Sequence, residues 1–201
     1  MTIITEFSQL DLNKSYSYAD YLTWKLNERV EIIKGKIMLM SLAPNLNHQA
    51  IERNLIIEIG SYLKDKKCRV FPAPFDVRLY NRKQLILKNQ EIKTIVQPDV
   101  CVVCNPEILD KQGCDGSPDW IIEIVSKGNS KRDLLLKYEL YQENGVGEYW
   151  LVYPYEEAVH QFILNPKTDR YQLHQIYAQD GFISPCLFPD LQIDLADVFA
   201  E

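Results

Sequence analysis

The sequence predicts an α/β fold, a mixed β-sheet flanked by helices, on three observations. First, a strand pattern over Trp120 to Val125 is followed by a helical pattern over Ser130 to Asn144 and a second strand pattern over Glu148 to Tyr153. Such a run is a right-handed crossover joining parallel neighbours. Second, Val30 to Met40 and Ala158 to Tyr177 each read as two short strands joined by a turn, antiparallel hairpins towards the two ends of the chain. Third, 201 residues without a repeat, a low-complexity tract or a Gly/Ser linker predict one domain over 1–201.

In chain order, Tyr18 to Leu26 predicts a short helix leading into the Val30 to Met40 hairpin, whose turn is Lys34-Gly35. His48 to Leu63 carries Ile51, Leu55, Ile59, Tyr62 and Leu63 at amphipathic helical spacing. Val70 to Phe71, Phe75 to Tyr80 and Gln97 to Cys104 predict strands. Ser130-x-x-Asp133 is a capping box that opens the helix after Val125. Ala158 to Leu164 and Tyr171 to Tyr177 form the terminal hairpin, an exposed sheet edge through which a homodimer is expected.

Composition narrows the function. Lys plus Arg number 22 against 28 Asp plus Glu, a formal charge of −6, which excludes a broadly basic nucleic-acid coat. Binding a polyanion then requires a local cationic patch or a bridging metal. No apolar run approaches the roughly 20 residues that cross a bilayer, and Met1 to Leu10 has no cationic leader, so no membrane partner and a cytoplasmic location are expected. The five cysteines then read as reduced thiols. Cys101 and Cys104 are spaced like a metal pair, but three residues apart on a strand they face opposite sides.

Two acids and a lysine stand out. Glu123 is the one carboxylate in the apolar strand Trp120-Ile121-Ile122-Glu123-Ile124-Val125, and Asp99 opens the apolar strand Val100 to Val103 directly after Pro98. A carboxylate in such surroundings needs a partner or a metal. On the following helix Lys137 falls within the apolar arc of Leu134, Leu136, Tyr138, Leu140 and Tyr141, so its ammonium also needs a partner. A cluster of Asp99, Glu123 and Lys137 at one edge of the sheet follows. It reads either as a buried salt bridge or as a reactive site. Paired carboxylates are hard oxygen ligands for Mg2+ or Mn2+, and an ammonium beside them can orient a water or neutralise charge on phosphorus. Lys127, Lys131, Arg132 and Lys137 against Asp133 add a local charge of +3 that suits a DNA backbone. Glu52, Glu58, Lys64, Lys66 and Lys67 read as a solvated helix face.

These residues, with Val30-Glu31-Ile32-Ile33-Lys34-Gly35, Ala43-Pro44 to His48, Gln97-Pro98-Asp99-Val100, Glu123-Ile124-Val125-Ser126, Lys131-Arg132-Asp133 to Lys137-Tyr138-x-x-Tyr141, Gly147 to Val152 and Leu187-Phe188-Pro189-Asp190-Leu191, carry a resemblance. In their order and spacing the chain resembles the PD-(D/E)XK nuclease superfamily, the restriction endonuclease-like fold, and more narrowly the Uma-type family of bacterial endonucleases. The resemblance implies an αβββαβ core with Asp99 and Glu123 as ligands to Mg2+ (Mn2+ able to substitute) and Lys137 as the catalytic lysine. It adds Glu31 as a further acid, and His48 as a candidate facing the same cleft. Val125 stands where the superfamily's in-strand lysine belongs, so the helix supplies the lysine, with Lys127 as a rival to Lys137. The implied function is a divalent-metal-dependent endonuclease hydrolysing DNA. The alternative is a nuclease-fold protein that binds nucleic acid or a protein partner without cutting.

Overall fold

The computed structural model describes residues 3–40, 45–80, 88–126 and 131–200, and for Arg132 the backbone alone. A 3-10 turn at Phe7–Gln9 is followed by a one-turn helix, α1 (Tyr18–Tyr21), whose first turn is closed reciprocally by Ser17 and Asp20. This helix stops short of the predicted Leu26 because the Asp20 carbonyl accepts from the backbone and hydroxyl of Thr23, and Lys25 N–H donates to Ile4 instead of continuing the helix. The predicted hairpin follows as β1 (Val30–Ile33) and β2 (Lys36–Leu39). Its turn residues Lys34 and Gly35 both have positive φ, 51° and 81°, the backbone of a two-residue turn that matches strand twist. Next comes α2 (Leu46–Leu63), capped by the Asn45 side chain, which accepts from His48 N–H at 2.9 Å. Of the residues that predicted it, Ile51, Leu55, Ile59 and Leu63 are buried.

The remaining elements are β3 (Arg69–Pro72), β4 (Val77–Arg78), β5 (Ile95–Val96), β6 (Val100–Val103), β7 (Leu109–Asp110), β8 (Gly113–Asp115), β9 (Trp120–Ile124), α3 (Lys131–Glu143) and β10 (Glu148–Tyr153). After them come β11 (Ala158–Asn165), β12 (Arg170–Ala178), β13 (Phe182–Ile183), β14 (Ile193–Asp194) and α4 (Leu195–Phe199). Ser130 of the predicted capping box lies outside the described residues. The αβββαβ core runs α2, β3, β6, β9, α3, β10. Its strands belong to a six-stranded mixed sheet of order β12-β11-β10-β9-β6-β3, in which β9 and β10 are the predicted parallel pair.

A second six-stranded sheet, β2-β1-β5-β4-β8-β7, was not legible in the sequence. The predicted strand Gln97 to Cys104 is shorter, with only β6 as strand, which pairs with β3 and β9 in the core sheet; just before it the unpredicted β5 pairs with β1 and β4 in the second sheet. Pro98 lies between them and has no N–H for a ladder, so the chain changes sheets at Gln97-Pro98-Asp99. Phe75 to Tyr80 likewise contributes only Val77 and Arg78 as strand, also in the second sheet.

Both faces of the core sheet are covered, as the apolar composition of β9 requires. Trp120, Ile122 and Ile124 pack with Ile51, Leu55 and Ile59 of α2 on one face. Ile121 packs with Leu140 and Tyr141 of α3 on the other. Each such side chain contributes roughly 1.5 to 3 kcal/mol by leaving water. A buried carboxylate, Glu148, ties the C-terminal segment to this core. It accepts from Trp150 Nε1 and Gln161 Nε2, both at 2.7 Å, and from the backbone N–H groups of Cys186 and Leu187.

The expectation of five reduced thiols is corrected. Arg69 pairs with Val103 across β3 and β6, so Cys68 and Cys104 stand opposite each other, and they form a disulfide. Cys101 remains a buried thiol on the other face of the sheet. Among the described residues no helix is long and apolar enough to cross a membrane.

Gly113 has φ of 130°, and a Cβ there would stand 2.2 Å from the Asp76 carbonyl oxygen, a backbone atom that cannot swing aside. Gly113→Ala is therefore expected to lower the unfolding free energy by about 2 kcal/mol or more, read as a lower midpoint with unchanged slope in urea unfolding.

Candidate active site

The register of the core sheet brings the two acids together. Val100 pairs with Ile122 in an antiparallel ladder, so Asp99 and Glu123 occupy the next opposed positions, where side chains leave the same face. Asp99 sits at the mouth of the ladder. Its Oδ2 accepts from Ile124 N–H at 2.7 Å, and its carbonyl oxygen accepts from Ala73 N–H. His48, at the start of α2, places Nε2 3.4 Å from the same Oδ2. Its Nδ1 is buried and has no hydrogen-bond partner among the described residues.

Helix α3 lies over this face and delivers Lys137. The Lys137 ammonium is 2.9 Å from Glu123 Oε1 and 3.3 Å from Glu31 Oε1. Tyr141, one turn later, donates its hydroxyl to Glu123 Oε1 at 2.5 Å. Glu31 arrives from β1 of the other sheet and also accepts from Gln97 N–H at 2.9 Å. Two carboxylates, from β1 and β9, therefore contact one ammonium whose side chain is only 18% exposed, and the charge of Asp99 acts on it as well.

Electrostatics follow from that crowding. Burial pushes the Glu123 carboxyl up to about 7; Lys137 and the Tyr141 hydrogen bond pull it down, while Asp99 and Glu31 push it further up. Burial opposes the charge of Lys137, but Glu123, then Glu31 and Asp99, outweigh it and hold the ammonium protonated well above the ordinary lysine range. Burial also pulls the His48 imidazole down, and its hydrogen bond and charge contact with Asp99 overcome that, so its pKa is raised.

Each carboxylate spends one oxygen on these contacts. Asp99 Oδ1, Glu123 Oε2 and Glu31 Oε2 accept no hydrogen bond from the described residues. Among the described residues, no three His, Cys, Asp or Glu side chains close on one point as a ready cation cage. Mg2+ does not need one. It takes one or two carboxylates and fills its octahedron with water and substrate oxygens, so the Asp99 and Glu123 pair fits it in donor type and number.

The model of the family described as "Uma2: Putative restriction endonuclease" matches residues 18–196. This chain belongs to that family. A crystal structure of a putative nuclease belonging to DUF820 from Anabaena variabilis is similar to it with a TM-score of 0.67. The two are 23% identical over 91% of this chain and 97% of the other, a likeness of fold. No curated protein matches the chain.

Of the residues singled out in the sequence of this Uma2 member, Asp99, Glu123, Lys137, Glu31 and His48 meet in one place. Lys131 is exposed at the start of α3. Lys127 and the side chain of Arg132 lie outside the described residues. Four further groups belong to the neighbourhood. Glu52, read from sequence as solvated, is half-buried; burial and then the charge of Asp99 raise its pKa, which His48 and Arg29 lower. Its signal was its spacing, since Glu52 is four residues after His48 and shares its helix face. Tyr141 likewise follows Lys137 by four. Gln97 and Asp76 had no such signal: the Gln97 side chain donates to Asp76 Oδ1 at 2.8 Å across the join between the sheets.

The raised Glu123 pKa has a definite sign. Below its ordinary value of 4.5 both folded and unfolded chains hold the proton. Between there and about 7 only the folded chain does, so without metal stability declines across that window and levels off above it. Lys137 works the other way, stabilising throughout the neutral range and losing its contribution only at strongly alkaline pH. Urea unfolding from pH 4.5 to 8 in EDTA should show a decline on the order of 1 to 3 kcal/mol that Glu123→Gln flattens.

Proposed function

We propose that this protein is an endonuclease that hydrolyses DNA phosphodiester bonds, with Mg2+ held by Asp99 and Glu123 and Mn2+ able to substitute. The observation that carries the reading is the Lys137 ammonium between Glu123 and Glu31, at 2.9 and 3.3 Å, beside three carboxylate oxygens that no protein group engages among the described residues. A bound dication supplies Lewis acidity at a phosphoryl oxygen and a more acidic water. The protein's own groups divide the remaining work. An ammonium has three N–H bonds, and Lys137 donates one to Glu123 and stands 3.3 Å from Glu31, which leaves N–H capacity for a phosphoryl oxygen or the attacking water. Its raised pKa makes it a donor and a fixed positive charge, not a proton acceptor. Glu31 and Tyr141 are positioning residues that hold Lys137 and Glu123. His48 holds Asp99 through Oδ2.

Lys127, Lys131 and Arg132 complete the reading as contacts to the DNA backbone. The family's description, "Putative restriction endonuclease", supports DNA as the substrate. Pairing of two copies along β12, a free sheet edge that exposes Leu173 and Ile176, belongs to the same reading. Sedimentation should then give twice the mass of one chain, and Ile176→Lys should return it to a single mass.

Purified protein with plasmid and Mg2+ or Mn2+ should give nicks that vanish in Asp99→Ala and Glu123→Ala. Lys137→Met should lower the rate by about 10²- to 10³-fold, the usual loss when one group aimed at developing charge is removed. Calorimetry separates the roles. Asp99→Ala and Glu123→Ala should weaken Mn2+ binding, whereas Lys137→Met, which removes a nearby positive charge, should leave it equal or tighter. Equal nicking by wild type and Asp99→Ala would remove the proposal. Duplex binding with neither nicking nor Mn2+ uptake at millimolar concentration would favour a nuclease-fold protein that binds without cutting.

A further inference from the structure

Arg29 is a cation of this neighbourhood that neither the sequence reading nor the proposed cluster uses. It directly precedes β1 and stands two residues from Glu31, so on an extended strand the two side chains leave the same face. Its Nε and Nη2 both donate to Gln97 Oε1, at 3.1 and 2.9 Å. Gln97 is the residue whose N–H holds Glu31, so the guanidinium is fixed one residue contact from the carboxylate that holds Lys137. From the other side, burial lifts the carboxyl pKa values of Glu52 and Asp76, and the Arg29 charge lowers both. The guanidinium therefore lies within electrostatic reach of Glu52 on α2 and of Asp76, which the same Gln97 side chain holds.

The way it is held matters chemically. Gln97 is a neutral acceptor and leaves the positive charge intact. Among the described residues no carboxylate forms an ion pair with Arg29, although the residue is exposed. A guanidinium has five N–H bonds in a planar fork, and the Gln97 contact occupies the Nε edge. The edge formed by Nη1 and Nη2 remains, with the spacing that grips two oxygens of one phosphate. A mobile arginine would lose side-chain freedom on binding, whereas one already oriented by a buried glutamine has given up much of it.

We propose that Arg29 grips a phosphate of the nucleic-acid strand adjacent to the one being cleaved, and so sets the register of the backbone over Asp99, Glu123 and Lys137. The proposal rests on the endonuclease reading for its ligand, but its test is separate. In a Glu123→Ala background, which leaves the probe uncut, a fluorescein-labelled DNA duplex is titrated by anisotropy at several salt concentrations. Adding Arg29→Met should weaken binding roughly tenfold and make the slope of log K against log salt shallower by about 0.9, one phosphate contact. Arg29→Lys should restore the slope, because it restores the charge, but only part of the affinity, because it lacks the fork. In the otherwise wild-type protein Arg29→Met should raise KM for plasmid more than it lowers kcat, with Mn2+ binding kept and the thermal midpoint within a few degrees.

Unchanged affinity and slope in Arg29→Met, with Asp99→Ala still abolishing nicking, would overturn the Arg29 assignment and spare the endonuclease. Duplex binding with an Arg29-dependent slope but no nicking by wild type would do the reverse. A wild type that neither binds nor nicks removes both.

Discussion

The buried ion cluster around Lys137 is the constraint on which the rest of the molecule depends. Ionised carboxylates inside a protein cost several kcal/mol each unless a counter-charge and hydrogen bonds compensate them. Here Glu31 comes from β1 of one sheet, Glu123 from β9 of the other and Asp99 from the residue before β6, and Lys137 comes from α3. The ammonium reaches them only if α3 lies flat on the core sheet, which the packing of Leu140 and Tyr141 against Ile121 enforces. It reaches Glu31 only if the N-terminal hairpin is seated alongside. A surface pair, Lys34 with Glu143, also spans hairpin and helix, but it is open to water and contributes little beside the buried contacts.

Three consecutive residues join the two sheets at this point. Gln97 holds Glu31 through its backbone and Arg29 and Asp76 through its side chain. Pro98 ends one ladder, and Asp99 starts the next with its carboxylate anchored on Ile124 N–H. The cluster thus forms where regular hydrogen bonding is interrupted, and there the Gln97 N–H donates to Glu31 and the Asp99 carbonyl accepts from Ala73 N–H. Rigid sheet on both sides of so short a segment limits how far Asp99 can stray from Glu123.

The same cluster sets stability against chemistry. A single ammonium does not neutralise three acids: burial first, and then the charges of Asp99 and Glu31, push the Glu123 carboxyl up to about 7 against the pull of Lys137. An apolar replacement would make a quieter core. The uncommitted oxygens instead leave the fold short of positive charge at one rim. A hard dication would correct that locally in a chain whose overall charge is −6, and would give a polyanion a reason to approach it.

Periodicity and composition settled those elements whose determinants are local. The core-sheet strands, the long helix α2, helix α3 with Lys137 on its inner arc, and the hairpin turn at Lys34-Gly35 follow from spacing, turn chemistry and the cost of leaving a charge in an apolar run. Asp99, Glu123 and Lys137 were visible for that last reason, and Glu31 and His48 through family resemblance. The second sheet, the Cys68–Cys104 disulfide and the parts of Gln97, Asp76, Glu52, Tyr141 and Arg29 were decided by tertiary structure alone. Each depends on which residue of a distant segment lies opposite. A strand of two residues is too short to show a period, and a polar side chain whose partner is 18 to 68 positions away reads, in one dimension, like any solvated residue.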